Sequence, residues 1–119
     1  MTIFTIPPGL IELPDDLPPG TYKKMAAGTY EAHKTALISA LQPGDVFVDV
    51  GAHVGYHSLW ALKAGAVVAV YEPVEDNLQR CVENFLRNGF RRFMANGIPV
   101  WHTVEPVAYF TGSRASIMA

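Results

Sequence analysis

The apolar positions of this chain follow two patterns. Val46 to Val50 and Val67 to Tyr71 are nearly continuous apolar runs with no period-two alternation. Such runs suit parallel strands covered on both faces. Three other stretches place apolar residues three and four apart, the helical period. The first runs from about Thr29 to Leu41, with Ala32, Ala36, Leu37, Ala40 and Leu41 as its stripe. The second runs from Val54 to Lys63, with Leu59 and Leu62 towards the core. The third runs from Glu75 to Asn88, with Leu78, Cys81, Val82 and Phe85 in line.

Local signals bound these elements. Thr29 is a candidate cap for the first helix, because its oxygen can accept an orphan amide. Pro43-Gly44 stops that helix, Gly65 closes the second and Asn88-Gly89 ends the third. Glu75 and Asp76 complement the dipole at the start of the third helix. Pro99 to Val104 reads as a third strand and Val107 to Phe110 as a fourth. Gly112 suggests a turn, and Ala115 to Met118 begins a returning strand. The alternation of helix and strand predicts an α/β domain with a parallel sheet.

The first twenty residues differ from the rest. They hold five prolines, Pro7, Pro8, Pro14, Pro18 and Pro19, which disfavour a helix or a central strand. Phe4 and Ile6 fit a short edge strand, and Ile11 and Leu13 are expected to lie extended over the surface. The division is therefore a proline-rich arm over residues 1–20 and one domain over residues 21–119.

Composition narrows the function classes. The chain has 119 residues, half of them hydrophobic, which favours a packed core over disorder. Net charge is −2, and Lys23-Lys24 and Arg91-Arg92 are the only tight cationic pairs. Charge-driven nucleic-acid binding is not expected. The single cysteine, Cys81, excludes an internal disulfide framework and a cysteine-cluster zinc site. No apolar run has the length of a membrane span, and no secretory leader is evident. The expected location is cytoplasmic.

The chemistry concentrates where the two apolar runs end. The first leads through Asp49 into Gly51-Ala52-His53-Val54-Gly55-Tyr56, and the second ends at Glu72-Pro73. One helix joins the two strands, so both carboxylates are expected in one crevice at the strands' carboxyl ends, where open α/β sheets bind ligands. Glu72 is placed to accept from ribose hydroxyls, and Asp49 either meets a ligand or caps the amides of Gly51 or Ala52. The pattern D-x-G-x-x-x-G is not the dinucleotide fingerprint, which would need a glycine at His53. A nucleoside carrying an amino-acid tail suits it better, since a carboxylate and glycine backbone match that tail. His53 and His57 lie four apart, but no third ligand or general-base glutamate accompanies them, so no metal is expected. The base is unknown. His57 is either a surface residue of the helix or a base, and Cys81 fits the core.

The run from Pro43 to Ser58 resembles the first motif of the FkbM-type methyltransferases, which are class I, S-adenosylmethionine-dependent enzymes. Val70-Tyr71-Glu72-Pro73-Val74-Glu75-Asp76-Asn77-Leu78 is similar to the family's acidic-proline motif. Asn84, Asn88-Gly89, Gly28-Thr29-Tyr30-Glu31 and the stretch from Val107 to Ile117 resemble further family segments. The resemblance implies a Rossmann-like, parallel, three-layer sheet, here its N-terminal half with a possible returning strand. It implies that Asp49, Gly51, Ala52, His53, Gly55 and Tyr56 hold the methionine portion of S-adenosylmethionine, with Glu31 nearby. Glu72 would hold the ribose, and Pro73 and Val74 would border the adenine. The acceptor would be a hydroxyl of a sugar, glycan or polyketide. The chain is shorter than such domains usually are. It is expected to be a fragment, a compact form, or a half-sheet completed by a partner, for instance a second copy across the open sheet edge. The alternative function is a non-catalytic nucleoside-binding or assembly module.

Overall fold

The computed structural model describes residues 2–98 and the backbone of 113–114. Strands β1 (Thr2–Ile6) and β2 (Gly9–Leu13) are followed by helices α1 (Pro19–Ala27) and α2 (Ala32–Ser39). Then come β3 (Val46–Val50), α3 (Tyr56–Lys63), β4 (Val67–Tyr71), α4 (Glu75–Arg87), β5 (Phe93–Asn96) and the two-residue β6 (Ser113–Arg114). The main sheet has the order β5-β4-β3-β6. β3, β4 and β5 run parallel, and β6 is antiparallel to β3.

Each crossover, β3-α3-β4 and β4-α4-β5, steps in the same direction along the sheet. Right-handed crossovers therefore place α3 and α4 on one face. Phe47, Asp49, Val68 and Val70 point to that face and are buried. Val48, Val67, Ala69 and Tyr71 alternate with them and are half-buried. The apolar runs were expected to be covered on both sides; among the described residues the helices cover one.

The N-terminal segment corrects the sequence reading. Instead of lying over the surface, Ile11 and Leu13 are fully buried, because β1 and β2 form an antiparallel hairpin packed on α4. Pro7 and Pro8 occupy its two-residue loop, where no ladder amide is lost. Pro18 and Pro19 start α1 rather than extending a linker; proline is favoured at a first helical position, whose N–H has no intrahelical partner.

Two asparagines, Asn84 on α4 and Asn88 at its C-cap, hold the outer edge of this hairpin. Asn84 Oδ1 accepts from the Glu12 amide at 2.7 Å, and its Nδ2 donates to the Glu12 carbonyl at 3.2 Å and to the Val54 carbonyl at 2.9 Å. Asn88 does the same one turn on, accepting from the Leu10 amide and donating to the Leu10 carbonyl, both at 2.7 Å. Residues four apart on a helix thus meet residues two apart on a strand. The side-chain amides replace the strand that β2 lacks on this side.

Two further expectations change. α2 is rotated relative to its expected stripe: Thr35 and Ile38 are buried, whereas Leu37 is 65% exposed. The helix begins at Ala32 after Glu31, not at a Thr29 cap, and Thr29 Oγ1 reaches back to the Lys24 carbonyl at 3.4 Å. The third parallel strand is Phe93–Asn96, directly after Arg91-Arg92. The strands expected at 99–104, 107–110 and 115–118 lie outside the described residues.

Candidate functional site

β3 ends at Val50, and the chain turns through three left-handed residues: Gly51 at φ 73°, His53 at φ 55° and Gly55 at φ 94°. The backbone needed at Gly51 and Gly55 is strained for any residue with a Cβ. Register places Val50 beside Tyr71, so the turn lies against the end of β4. Gly51 N and Ala52 N donate to the Tyr71 carbonyl at 2.7 and 3.4 Å. The next amide, His53 N, donates to Glu72 Oε1 at 2.7 Å, and Val74 N donates to Glu72 Oε2 at 3.0 Å. The buried Glu72 carboxylate therefore joins the two loops that follow the two central strands.

Asp49 lies under this turn. It is fully buried and does not cap the Gly51 or Ala52 amides, which Tyr71 engages instead. Ser58 Oγ donates to Asp49 Oδ2 at 2.6 Å, and Oδ1 has no hydrogen-bond partner among the described residues. Burial raises the carboxyl to about pKa 7; the Ser58 hydrogen bond opposes that rise and the Glu72 charge adds to it. Gly55 also supports the turn from its core side. A Cβ there would stand 2.8 Å from Phe85 Cε1 and 3.0 Å from Cys81 Sγ. Burial likewise raises the Cys81 thiol.

Above the turn is a cavity of about 650 Å³. Ligand pockets generally fall between about 300 and 1,000 Å³. The turn contributes Gly51, Ala52, His53 and Val54; the start of α3 contributes Tyr56 and His57. The end of β4 contributes Glu72, Pro73 and Val74, with Asn77 behind them. Of the residues expected to contact a cofactor, Asp49 and Gly55 are absent from the wall and lie behind the turn that forms it. Glu31, Gly51, Ala52, His53, Tyr56, Glu72, Pro73 and Val74 all line the cavity.

The opposite wall comes from the segment before β3. Glu31 has a left-handed backbone, φ 48°, at the cap of α2. Its Oε2 accepts from Lys34 Nζ at 3.0 Å, and its Oε1 lies 3.2 Å from His57 Nε2 without the alignment of a hydrogen bond. His57 is buried rather than on the helix surface, because Tyr30 and Glu31 cover that side of α3. Burial lowers it to about pKa 4 against the pull of Glu31, so it is neutral near pH 7. His53, in contrast, is exposed in the turn, so the two histidines do not share a helical face. No group of three or more metal-ligating side chains occurs among the described residues.

Leu17, Thr21, Met25, Tyr30 and Lys34 also line the cavity, and sequence reasoning did not select them. Lys34 had a readable signal, standing three residues after Glu31 on the same helix. Leu17, Thr21 and Met25 arrive through the fold of the N-terminal segment, which the prolines concealed.

No family model matches the sequence, and no curated protein resembles it significantly. Solved structures do resemble it in shape. A candidate transferase, PH0793 of Pyrococcus horikoshii, superposes with a TM-score of 0.62 at 19% identity, over 82% of this chain and 36% of that one. The likeness is one of fold, a small and incomplete Rossmann-like α/β domain. YcgJ of Bacillus subtilis matches at 0.53 and 12% identity, over 67% of this chain and 36% of its own. TYW2 of P. horikoshii, solved in complex with MeSAdo, matches at 0.52 and 21% identity, over 70% of this chain and 29% of its own. This chain spans about a third of the length of each. No helix among the described residues is long and apolar enough to cross a membrane.

Proposed function

We propose that this chain binds S-adenosylmethionine in the cavity above the β3 turn and belongs to an FkbM-like O-methyltransferase acting on a sugar, glycan or polyketide hydroxyl. One observation carries the binding: a single cavity at the carboxyl ends of β3 and β4 brings together the glycine turn, Glu72 and Glu31. Glu72 holds its carboxylate where β4 ends, and each of its oxygens keeps acceptor capacity for a ribose hydroxyl. Pro73 and Val74 supply an apolar edge for adenine. Gly51, Ala52, His53 and Tyr56 flank the methionine portion, with Asp49 and Gly55 fixing the turn from behind. S-adenosylmethionine would supply the electrophilic methyl group; the chain's residues would orient it for in-line attack by the acceptor oxygen. The acceptor class rests on the FkbM resemblance of Pro43 to Ser58 and Val70 to Leu78. A cytoplasmic location belongs to the same proposal.

The test is a thermal-shift titration with S-adenosylhomocysteine. A ligand at a hundred times its Kd stabilises a fold by about 2.7 kcal/mol, a shift of several degrees. No shift at millimolar ligand contradicts the proposal.

A second reading is binding or assembly without transfer. It is supported by His57, whose Nε2 is buried 3.2 Å from Glu31 Oε1 and makes no hydrogen bond. It is also supported by β5, which among the described residues is the terminal strand of the sheet order, with Met94 on it and Ile98 just after it exposed. A labelled-methyl assay on mixed hydroxylated acceptors, run with light scattering, separates the readings. Transfer supports the first; ligand binding with edge-mediated dimerisation and no transfer supports the second.

A further inference from the structure

A second, smaller cavity lies at the other end of the sheet, where β4 and β5 begin. Its volume is about 250 Å³, less than half that of the cavity above the β3 turn. Leu62, Ala66 and Phe90 give it an apolar lining, and Arg91 and Arg92 stand in its wall beside Gly89. No acidic side chain lines it. We propose that this cavity binds a small organic anion, a phosphate or carboxylate carried on an apolar body about the size of one ring.

Both arginines are exposed, and neither has an ion pair among the described residues. Their charge is not spent on capping the helices that end nearby. At the end of α3, Gly65 N donates to the Leu62 carbonyl at 3.0 Å. At the end of α4, Gly89 N donates to the Leu86 carbonyl and Phe90 N to the Phe85 carbonyl, both at 3.0 Å. Arg91 Nη1 donates to the Phe90 carbonyl at 3.1 Å; no other guanidinium donor of either arginine is engaged among the described residues. The backbone adds donors of its own. The Arg92 carbonyl accepts from Val68 N at 3.0 Å, but the Arg91 and Arg92 amides make no hydrogen bond among the described residues. Successive unpaired amides and guanidinium groups at one concavity are the donors from which oxyanion sites are built. A guanidinium meets a phosphate or carboxylate through two parallel hydrogen bonds. The apolar lining sets the rest of the ligand. A bare anion would leave that lining wet, whereas a hydrocarbon or a ring removes it from water. Ligand pockets usually measure about 300 to 1,000 Å³, so the smaller volume limits the body to a small one.

The test titrates the isotope-labelled 119-residue chain with three probes at constant ionic strength, following backbone amide resonances. The probes are phenyl phosphate, inorganic phosphate and benzyl alcohol, in a buffer free of other phosphate. Phenyl phosphate should give saturable shifts at Gly89, Phe90 and Arg91 with a Kd of about one millimolar or less. The other two, which lack the ring or the charge, should each bind at least about fivefold more weakly. Arg91→Gln combined with Arg92→Gln should reduce phenyl phosphate to the level of benzyl alcohol, with melting unchanged because both side chains are exposed. An equal response to phenyl phosphate and inorganic phosphate would overturn the proposal, as would an equal response to phenyl phosphate and benzyl alcohol. So would the absence of any saturable shift, or undiminished phenyl phosphate binding by the double variant. The comparison of probes on the unaltered chain decides the matter without any variant. None of these outcomes bears on the cavity above the β3 turn, which lies at the opposite end of the sheet.

Discussion

The Glu72 carboxylate accepts the His53 amide at 2.7 Å, nineteen residues back along the chain. Its other oxygen accepts from Val74 N at 3.0 Å. A strand-end acid thus sets the shape of the preceding strand's turn as well as facing the cavity. Glu72→Gln should disturb both roles, because the amide turns an NH₂ donor towards one of two backbone donors. An unsatisfied buried donor costs about 1–3 kcal/mol. A lower melting temperature and weaker S-adenosylhomocysteine binding are expected together, read by thermal melts and calorimetry. Unchanged melting would show that the turn holds without this acid.

The two buried titratable groups behind the cavity should oppose each other in pH dependence. Asp49 has a folded pKa of about 7, raised from 3.8, so between those values the folded state holds a proton that the unfolded chain has released. Its contribution is fully present below pH 3.8 and is lost as pH rises through about 7. His57 is lowered from 6.5 to about 4, so its contribution is fully present above pH 6.5 and is lost as pH falls towards 4. Asp49→Asn should remove the loss on the alkaline side, and His57→Gln the loss on the acid side. Melting curves from pH 4 to 8 check both; profiles parallel to that of the unaltered chain would contradict these assignments.

Asn84 holds Glu12 at both backbone groups and also holds the Val54 carbonyl beside the turn. Asn84→Ala should leave several buried groups unpaired at a cost of about 1–3 kcal/mol each, reduced where water can enter. Faster hydrogen exchange at the Glu12 amide is the specific sign. Exchange that rises equally across β4 would indicate global destabilisation instead.

Gly55→Ala should destabilise the chain by about 1–2 kcal/mol or more, since the left-handed backbone and the Phe85 and Cys81 contacts both oppose a Cβ. Chemical denaturation measures this. A neutral result would require the turn to have another accessible conformation.

The central β3-α3-β4-α4 unit was legible because its patterns are local: two apolar runs, a glycine turn and helices closed by glycine. Eight of the ten expected site residues line one cavity for the same reason, since a strand end fixes where its next residues lie. What the sequence hid depends on distant partners. Nothing local to Ile11 or Leu13 announces Asn84 and Asn88, whose amides complete the hairpin's edge. The stripe of α2 was misjudged because its alanines suit either face, and packing on α3 chose Thr35 and Ile38. His57 looked like a surface residue until Tyr30 and Glu31 covered it. Asp49 was placed at the right strand end, but only the fold shows that its side chain turns to Ser58 behind the turn.

The most direct test is to follow backbone amide resonances while S-adenosylhomocysteine is added. The account predicts saturable shifts with one shared Kd at Gly51, His53 and Val74, with Gly89 to Arg92 unmoved on the opposite end of the sheet. No shift at millimolar ligand, or shifts centred on Gly89 to Arg92, would contradict it.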